Sequence, residues 1–427
     1  MSVSEDLTRT MLDMGALDRA AAQAADDGRW DDADRIWTQM RERDPSSRNA
    51  LWGLGYSALQ LGDAVKARSL LLDAWRAAPE DRMVLLALAM ACKECNDIQG
   101  EGSALRTLLD LYPKDLSGLL ANADLLERIR HPSAPQAYAN ALQAAPSQPE
   151  KWPQQFRVQL ERAKAFSDRH RQSLFKALSD KVFEFGAGMD ATQRERWLEG
   201  ASIHSGMTLP YHSDPHKFLV PRLAATPFYD RSLFPWLAEF EAKTDVMREE
   251  LAHALKVKNE GFVPYVALGE AATDQWSTLN NSKNWSVLYL WQNGARNEEN
   301  IALCPETAKA LEQADQAYIR GNCPNAMFSA LAPRTHIPPH CGESNARVVM
   351  HLPLVVPENC GHLRVGYEKR EWKVGETLIF DDSIEHEARN DSDELRVVLL
   401  FDVWHPHLTA QEREMVNALV ATSANFR

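Results

Sequence analysis

The chain has 427 residues, 44% of them apolar and 25% charged, with a formal net charge of −13. That length exceeds one ordinary core and predicts two or three domains of a soluble globular protein. The acidic balance, with no basic stripe, argues against nucleic acid as a partner; no apolar run reaches the roughly 18 residues of a membrane span. The opening MSVSEDLTRTMLDMG lacks the basic region and apolar run of a secretory leader. Six scattered cysteines suit a reducing cytosol, so a cytoplasmic location is expected. Cys92 and Cys95 form a lone C-x-x-C in a helical pattern, read as two packed thiols and not as a redox or zinc site.

Prolines organise residues 1–150. Pro45, Pro79 and Pro113 are 34 residues apart and Pro146 follows 33 later. This is the period of tetratricopeptide repeats, two antiparallel helices per unit, with each proline ending a second helix. In ALWGLGYSALQLGDAVKARSLLLDAWRAAPED, Leu54 and Gly55 take the close-packing positions of the first helix. Ala67 and Ala74 take the small positions of the second. Ala33 and Ala134 repeat the place of Ala67, whereas Glu101 departs from it. Such units bury their faces only by stacking, which predicts a curved all-α solenoid. Its concave face suits a peptide; a spacer or dimerisation platform is the equal alternative.

Residues 151–205 continue as amphipathic helix (QQFRVQLERAKAF, RQSLFKALSDKVFEF), a helical cap or linker. The texture then changes to Pro, His and aromatics, placing a domain boundary near 205. One further helix is expected over about Asp230–Leu255. Short apolar or alternating segments follow (NWSVLYLW, FSALAP, ARVVMHLPLVV, LRVGY, ETLIFDD, LRVVLLFDVW). Their spacing predicts a β-sandwich or barrel over 206–427.

Two histidines stand out in that half. His340 is expected just before a strand, after a Pro-rich turn IPP, and His386 follows a two-Asp turn. An iron site of the facial-triad type wants two His and a carboxylate, often as His-x-Asp or His-x-Glu. Two positions after His340 lies Gly342, which has no ligand atom. Arg396 opens an apolar strand, where a guanidinium grips a dicarboxylate or pairs with a nearby acid. On spacing alone, a metal site and a pair of hydrogen-bonded structural histidines both remain open.

The segments HCGESNARVVMHL, WKVGETLIFDDSIEHE and RVVLLFDVWHP, in that order, resemble the catalytic domain of the aspartyl/asparaginyl β-hydroxylase family. Weaker similarity extends over roughly residues 215–410. The resemblance implies an iron(II)- and 2-oxoglutarate-dependent dioxygenase on a double-stranded β-helix (jelly roll) with flanking helices, using O₂. It also implies that Gly342 is no defect, because this family has Gly where the third ligand would stand. By the same resemblance His340 and His386 match the iron ligands, and Arg396 the grip on the distal carboxylate of 2-oxoglutarate. Ser329 matches a hydroxyl assisting that grip, and His351 a residue near the chelating end. Where the family often has Arg two residues before that histidine, this chain has Val349; Arg347 is read as a supporting residue. Asp382, four before His386, is expected to act from behind the ligands by holding a water, and Asp381 to form a turn. His212 and Asp214 make a literal His-x-Asp, with His216 nearby, read as a loop beside the substrate entrance.

The resemblance implies β-hydroxylation of Asp, Asn or a related residue in a peptide or protein, with the repeats holding that partner. A hydroxylase of a free amino acid or other small metabolite, oligomerised by its repeats, is one alternative. A non-catalytic adaptor is the other.

Overall fold

The structure, a computed structural model, describes residues 3–258, 261–268 and 276–424. The chain divides into two compact units, residues 1–188 with 200–207 and residues 189–199 with 208–427.

The first unit is a stack of helical hairpins: α1 (Val3–Asp26) with α2 (Trp30–Arg43), α3 (Arg48–Gln60) with α4 (Ala64–Ala77), α5 (Arg82–Glu94) with α6 (Ile98–Leu111), and α7 (Leu116–Arg128) with α8 (Ala134–Ala144). The long α9 (Arg157–Phe185) packs on the last pair. Each of the four prolines falls just after a second helix, where its missing N–H ends the ladder. The next helix starts on a capping side chain: Ser47 accepts from Ala50 N, Asp81 from Met83 N and Val84 N, and Asp115 from Gly118 N. The caps also link repeats, since Arg48 pairs with Asp81 and Arg82 with Asp115. Gly55 is required by close approach, because a Cβ there would lie 2.6 Å from Leu71 Cγ. Ala33, Ala67 and Ala74 are fully buried and Ala134 nearly so. Glu101 is buried too, and its carboxylate is met by Arg128 from the following hairpin. Cys92 and Cys95 are free thiols.

Helix α10 (Ala191–His204) leads to the second unit, which has two antiparallel sheets. Its strands are β1 (Val263–Pro264), β2 (Trp285–Gln292), β3 (Ala295–Arg296), β4 (Ala326–Leu331), β5 (Thr335–His340), β6 (Arg347–Val355), β7 (Leu363–Val365), β8 (Glu368–Arg370), β9 (Leu378–Phe380), β10 (His386–Asn390) and β11 (Arg396–Trp404). The larger sheet runs β1-β2-β4-β11-β6-β9, with β3 on β2; the smaller runs β5-β10-β7-β8. One apolar cluster, with Trp285, Leu331, Val349, Phe380 and Val398 from the larger sheet and Ile337, Leu363, Val365 and Ala388 from the smaller, fills the space between them. The opposite face of the larger sheet (Leu288, Phe328, Met350, Leu399, Phe401) is covered by α11 (Leu237–Glu241), α12 (Thr244–Val257) and α14 (Pro305–Gln313), with α13 (Glu298–Ile301) alongside. Helix α15 (Ala410–Ala424) packs on a smaller cluster with Trp404 and Leu408.

Two local expectations are corrected. The single helix over 230–255 is a 3₁₀ turn (Arg231–Leu233) followed by α11 and α12. Pro235 cannot sit in a helix interior, and Thr244 Oγ1 bonds Glu241 O at 2.6 Å where the helix breaks. The IPP segment is not a turn before a strand but part of β5. β5 is the edge of its sheet, paired with β10 alone, and an edge tolerates the donors that two prolines remove.

Candidate active site

His340 ends β5 and His386 begins β10, and antiparallel pairing sets them directly opposite each other. Their ring centroids are 4.1 Å apart. His340 Nδ1 is 2.7 Å from Pro338 O, and His386 Nδ1 is 3.0 Å from Ile384 O. A carbonyl oxygen only accepts, so each Nδ1 carries the proton and each Nε2 keeps its lone pair. Burial and then the neighbouring His386 push the His340 pKa down to about 3; burial pushes that of His386 down to about 4. Both rings are neutral at pH 7, the form that binds a metal.

Gly342 is explained by Asp382. A Cβ at position 342 would stand 1.9 Å from Asp382 Oδ2, so the Asp382 carboxylate occupies the space a side chain there would need. Gly342 N also donates to Asp382 O at 2.6 Å. Asp382 is buried, and Oδ2 pairs with Arg347 Nη2 at 3.0 Å while Oδ1 has no hydrogen-bond partner. Burial raises its pKa, against the lowering influence of Arg347. Arg347 in turn is 3.2 Å from Asp402, so its charge is shared between two carboxylates. Asp381 instead takes Ser383 N at 2.9 Å, which closes the turn expected of it.

Residues 347, 349 and 351 alternate onto one face of β6, the face toward the smaller sheet. Val349 pairs in register with Phe380 and Asp402 and packs in the core between the sheets. His351 is buried with Nδ1 unpartnered, and burial, then Arg396 and His386, hold it well below the usual imidazole range. Arg396 is 1% exposed. Its Nη1 reaches Ser329 O at 3.5 Å, its Nε has no partner, and no carboxylate among the described residues pairs with it. Burial lowers its pKa, but a guanidinium remains charged at neutral pH. Ser329, two pairs further along the β4–β11 ladder, accepts from Trp285 Nε1 at 3.1 Å.

The sequence-derived set therefore lies on two facing sheets: His340 and His386 at the rim of the smaller, His351, Ser329 and Arg396 on the inner face of the larger, and Asp382 behind the histidine pair. In the His212–His216 segment, His216 is near enough to act on the charge of His340. Among the described residues no cluster of three or more His, Cys, Asp or Glu is placed to hold a metal. The segment nevertheless lies against the site, because Asp214 N donates to Ser383 O and His216 N to Gly342 O. Sequence reasoning missed Trp285, Trp276 (5.2 Å from the His340 ring), Trp372 (stacked on Arg396) and Asp402. Of these Asp402 had a visible cue, a lone carboxylate in the apolar run RVVLLFDVW, and Trp372 opens the segment WKVGETLIFDDSIEHE.

The residues fit a two-histidine metal with a bound 2-oxo diacid. Each histidine keeps its Nε2 lone pair while Nδ1 bonds a carbonyl, a buried carboxylate fills the space a third ligand side chain would need, and the buried guanidinium pairs with no carboxylate among the described residues.

Residues 241–406 match the family described as Aspartyl/Asparaginyl beta-hydroxylase. The mouse "Aspartyl/asparaginyl beta-hydroxylase" is 33% identical over 188 residues, 43% of this chain and 25% of that protein. The Rhizobium tropici "Ornithine lipid ester-linked acyl 2-hydroxylase" is 37% identical over 187 residues, 43% of this chain and 63% of that protein. The chain thus spans a quarter of the first and under two thirds of the second. A solved TPR protein from Thermus thermophilus is 19% identical, covering 44% of this chain and 99% of that structure, at a TM-score of 0.31.

Proposed function

Because residues 241–406 match the family described as Aspartyl/Asparaginyl beta-hydroxylase, we propose that the protein is an iron(II)- and 2-oxoglutarate-dependent hydroxylase. Its two sheets are read as a double-stranded β-helix. The observation that carries the proposal is the buried Arg396 without an anion, on the inner face of the same core as a facing pair of neutral imidazoles.

Bound iron(II), with 2-oxoglutarate and O₂, supplies hydroxylation of an unactivated C–H while the cosubstrate goes to succinate and CO₂. His340 and His386 hold the metal through Nε2, their tautomers fixed by the Pro338 and Ile384 carbonyls. Arg396 binds the distal carboxylate by in-plane N–H donors, with Ser329 beside it and His351 toward the chelating end. Asp382 Oδ1, buried and unpartnered, would accept a hydrogen bond from a water beside the metal, while Arg347 pairs with the carboxylate and holds it in place. The Trp276, Trp285 and Phe380 rings exclude bulk water around the histidines.

The acceptor is proposed to be an Asp, Asn or related residue of a peptide or protein. Arg347 is occupied by two carboxylates and Val349 is apolar, so no free cation stands beside the histidine pair among the described residues. That environment favours neutral Asn over Asp. The helical unit offers a cavity of about 340 Å³ for a peptide, walled by Leu86, Met90, Leu120 and Phe156 and rimmed by Lys93 and Arg162. The six free cysteines suit a reducing compartment such as the cytosol, and no helix among the described residues is long and apolar enough to cross a membrane.

The test is incubation of the full chain with Fe(II), 2-oxoglutarate, O₂ and Asn- or Asp-containing peptides. Mass spectrometry is expected to show one added oxygen atom, on Asn more than on Asp. Succinate release without any acquired oxygen would point to a different acceptor; no succinate and no 2-oxoglutarate binding would point to the adaptor.

A further inference from the structure

We propose that Trp372 is a positioning residue for the keto-diacid: its indole face carries the buried Arg396 guanidinium and sets the plane in which that guanidinium meets the distal carboxylate. The proposal rests on the reading of Arg396 given above and adds the group that prepares it.

A guanidinium that is 1% exposed needs electrostatic compensation before any ligand arrives. Ser329 O, at 3.5 Å, is at the limit of a hydrogen bond, and no carboxylate among the described residues is paired with Arg396. Its other close neighbours are the buried Cys360 thiol, which acts on its charge but offers no carboxylate, and Trp372, with the guanidinium carbon 4.6 Å from its ring centroid. The ring is 4% exposed, so the contact is desolvated, the condition in which a cation over an aromatic face is worth most.

Geometry separates the two uses of the guanidinium. Stacking occupies its face, whereas its N–H donors lie in its plane and point outward at the edge. Trp372 therefore stabilises the charge without consuming the donors a carboxylate requires. The unpartnered Arg396 Nε is one such donor left over. Trp372 Nε1 is also buried without a partner, so no hydrogen bond ties the ring to another element. The tight turn bridged by Lys373 and Glu376 follows the ring immediately and fixes its backbone.

The experiment compares 2-oxoglutarate with 2-oxopentanoate, a 2-oxoacid of equal chain length that lacks the distal carboxylate. Binding to the full chain is measured by equilibrium dialysis with Fe(II) in the absence of O₂. The readout is the ratio of the two affinities, which a merely structural role would leave unchanged. Trp372→Leu is expected to cut the preference for 2-oxoglutarate ~10-fold, through loss of the desolvated cation–π contact and of the guanidinium's alignment, with 2-oxopentanoate binding unchanged. Trp372→Phe keeps a weaker face and is expected to lose ~3-fold, which serves as the test should the Leu variant not fold. A wild-type ratio in these variants overturns the proposal. Arg396→Met separates it from the underlying reading. If Arg396→Met keeps the preference, Arg396 does not hold the distal carboxylate and both fail. If Arg396→Met abolishes it and Trp372→Leu does not, only the role of Trp372 fails.

Discussion

In the helical array, Glu101 is buried at a position that other repeats fill with alanine, and Arg128 of the next hairpin reaches back to neutralise it. Asp124 collects Lys93, Arg162 and Arg128 in the same way. In the sheet unit, Arg396 is equally buried and meets no carboxylate, His351 Nδ1 faces no acceptor, and one oxygen of Asp382 is unpartnered. The array pairs its buried Glu101 and Asp124 from within. The sheet unit leaves unpartnered atoms on a cation, an imidazole and a carboxylate, the arrangement the proposed metal and cosubstrate would require.

Substitutions that remove what the sheet unit holds ready are expected to have the largest effects. His386→Ala or His340→Ala should abolish Fe(II) retention and lower turnover by ~10³-fold, beyond the 10–100-fold typical of a group behind a ligand; metal analysis after dialysis checks this. Next comes Gly342→Asp, whose Cβ must displace Asp382 Oδ2 from 1.9 Å away. Turnover should fall ~10–100-fold, and adding Asp382→Ala, which empties the contested space, should restore part of it. A double variant no better than the single would show that the two positions do not share one space.

The array supplies the contrasting case. Glu101→Ala leaves Arg128 without its buried partner and should destabilise by about 1–3 kcal/mol in a urea melt. It should leave turnover of a free small substrate untouched.

The smallest expected effect is that of pH on the metal-free protein. The His340 pKa is lowered to about 3, and those of His386 and His405 to about 4, all from 6.5. Between pH 6.5 and about 4 the unfolded chain binds protons that the folded chain does not, so stability rises with pH and is lost on acidification. Asp381, raised to about 6, acts in the opposite sense between pH 3.8 and 6, as does the raised Asp382, whereas the lowered His351 adds to the histidine side. The Tm should fall as pH goes from 7 to 5, and bound metal should steepen the fall because protons then compete for the same Nε2 atoms.

The helical half was legible because its determinants are local: a proline at a fixed period and a glycine or alanine where axes approach. The departure at Glu101 was legible as a departure, but its remedy was not, since Arg128 belongs to another hairpin. In the sheet unit the motif around His340 and His386 was readable as a resemblance, whereas the reason for Gly342 was not. Its space is filled from Asp382, which only the fold brings there. The β5 prolines misled because an edge position is a property of the sheet and not of the segment. Trp372 was visible as the first residue of WKVGETLIFDDSIEHE, but its stacking on Arg396 was not, because a contact between distant segments leaves no periodicity in the chain.

The most direct test measures CO₂ released from 2-oxoglutarate by the full chain with Fe(II) and O₂, alongside His340→Ala and Arg396→Met. The arrangement described predicts metal-dependent release by the wild type, none from His340→Ala, and release from Arg396→Met recovered only at much higher 2-oxoglutarate. Equal release from all three proteins, or none from a folded, metal-loaded wild type, would contradict it.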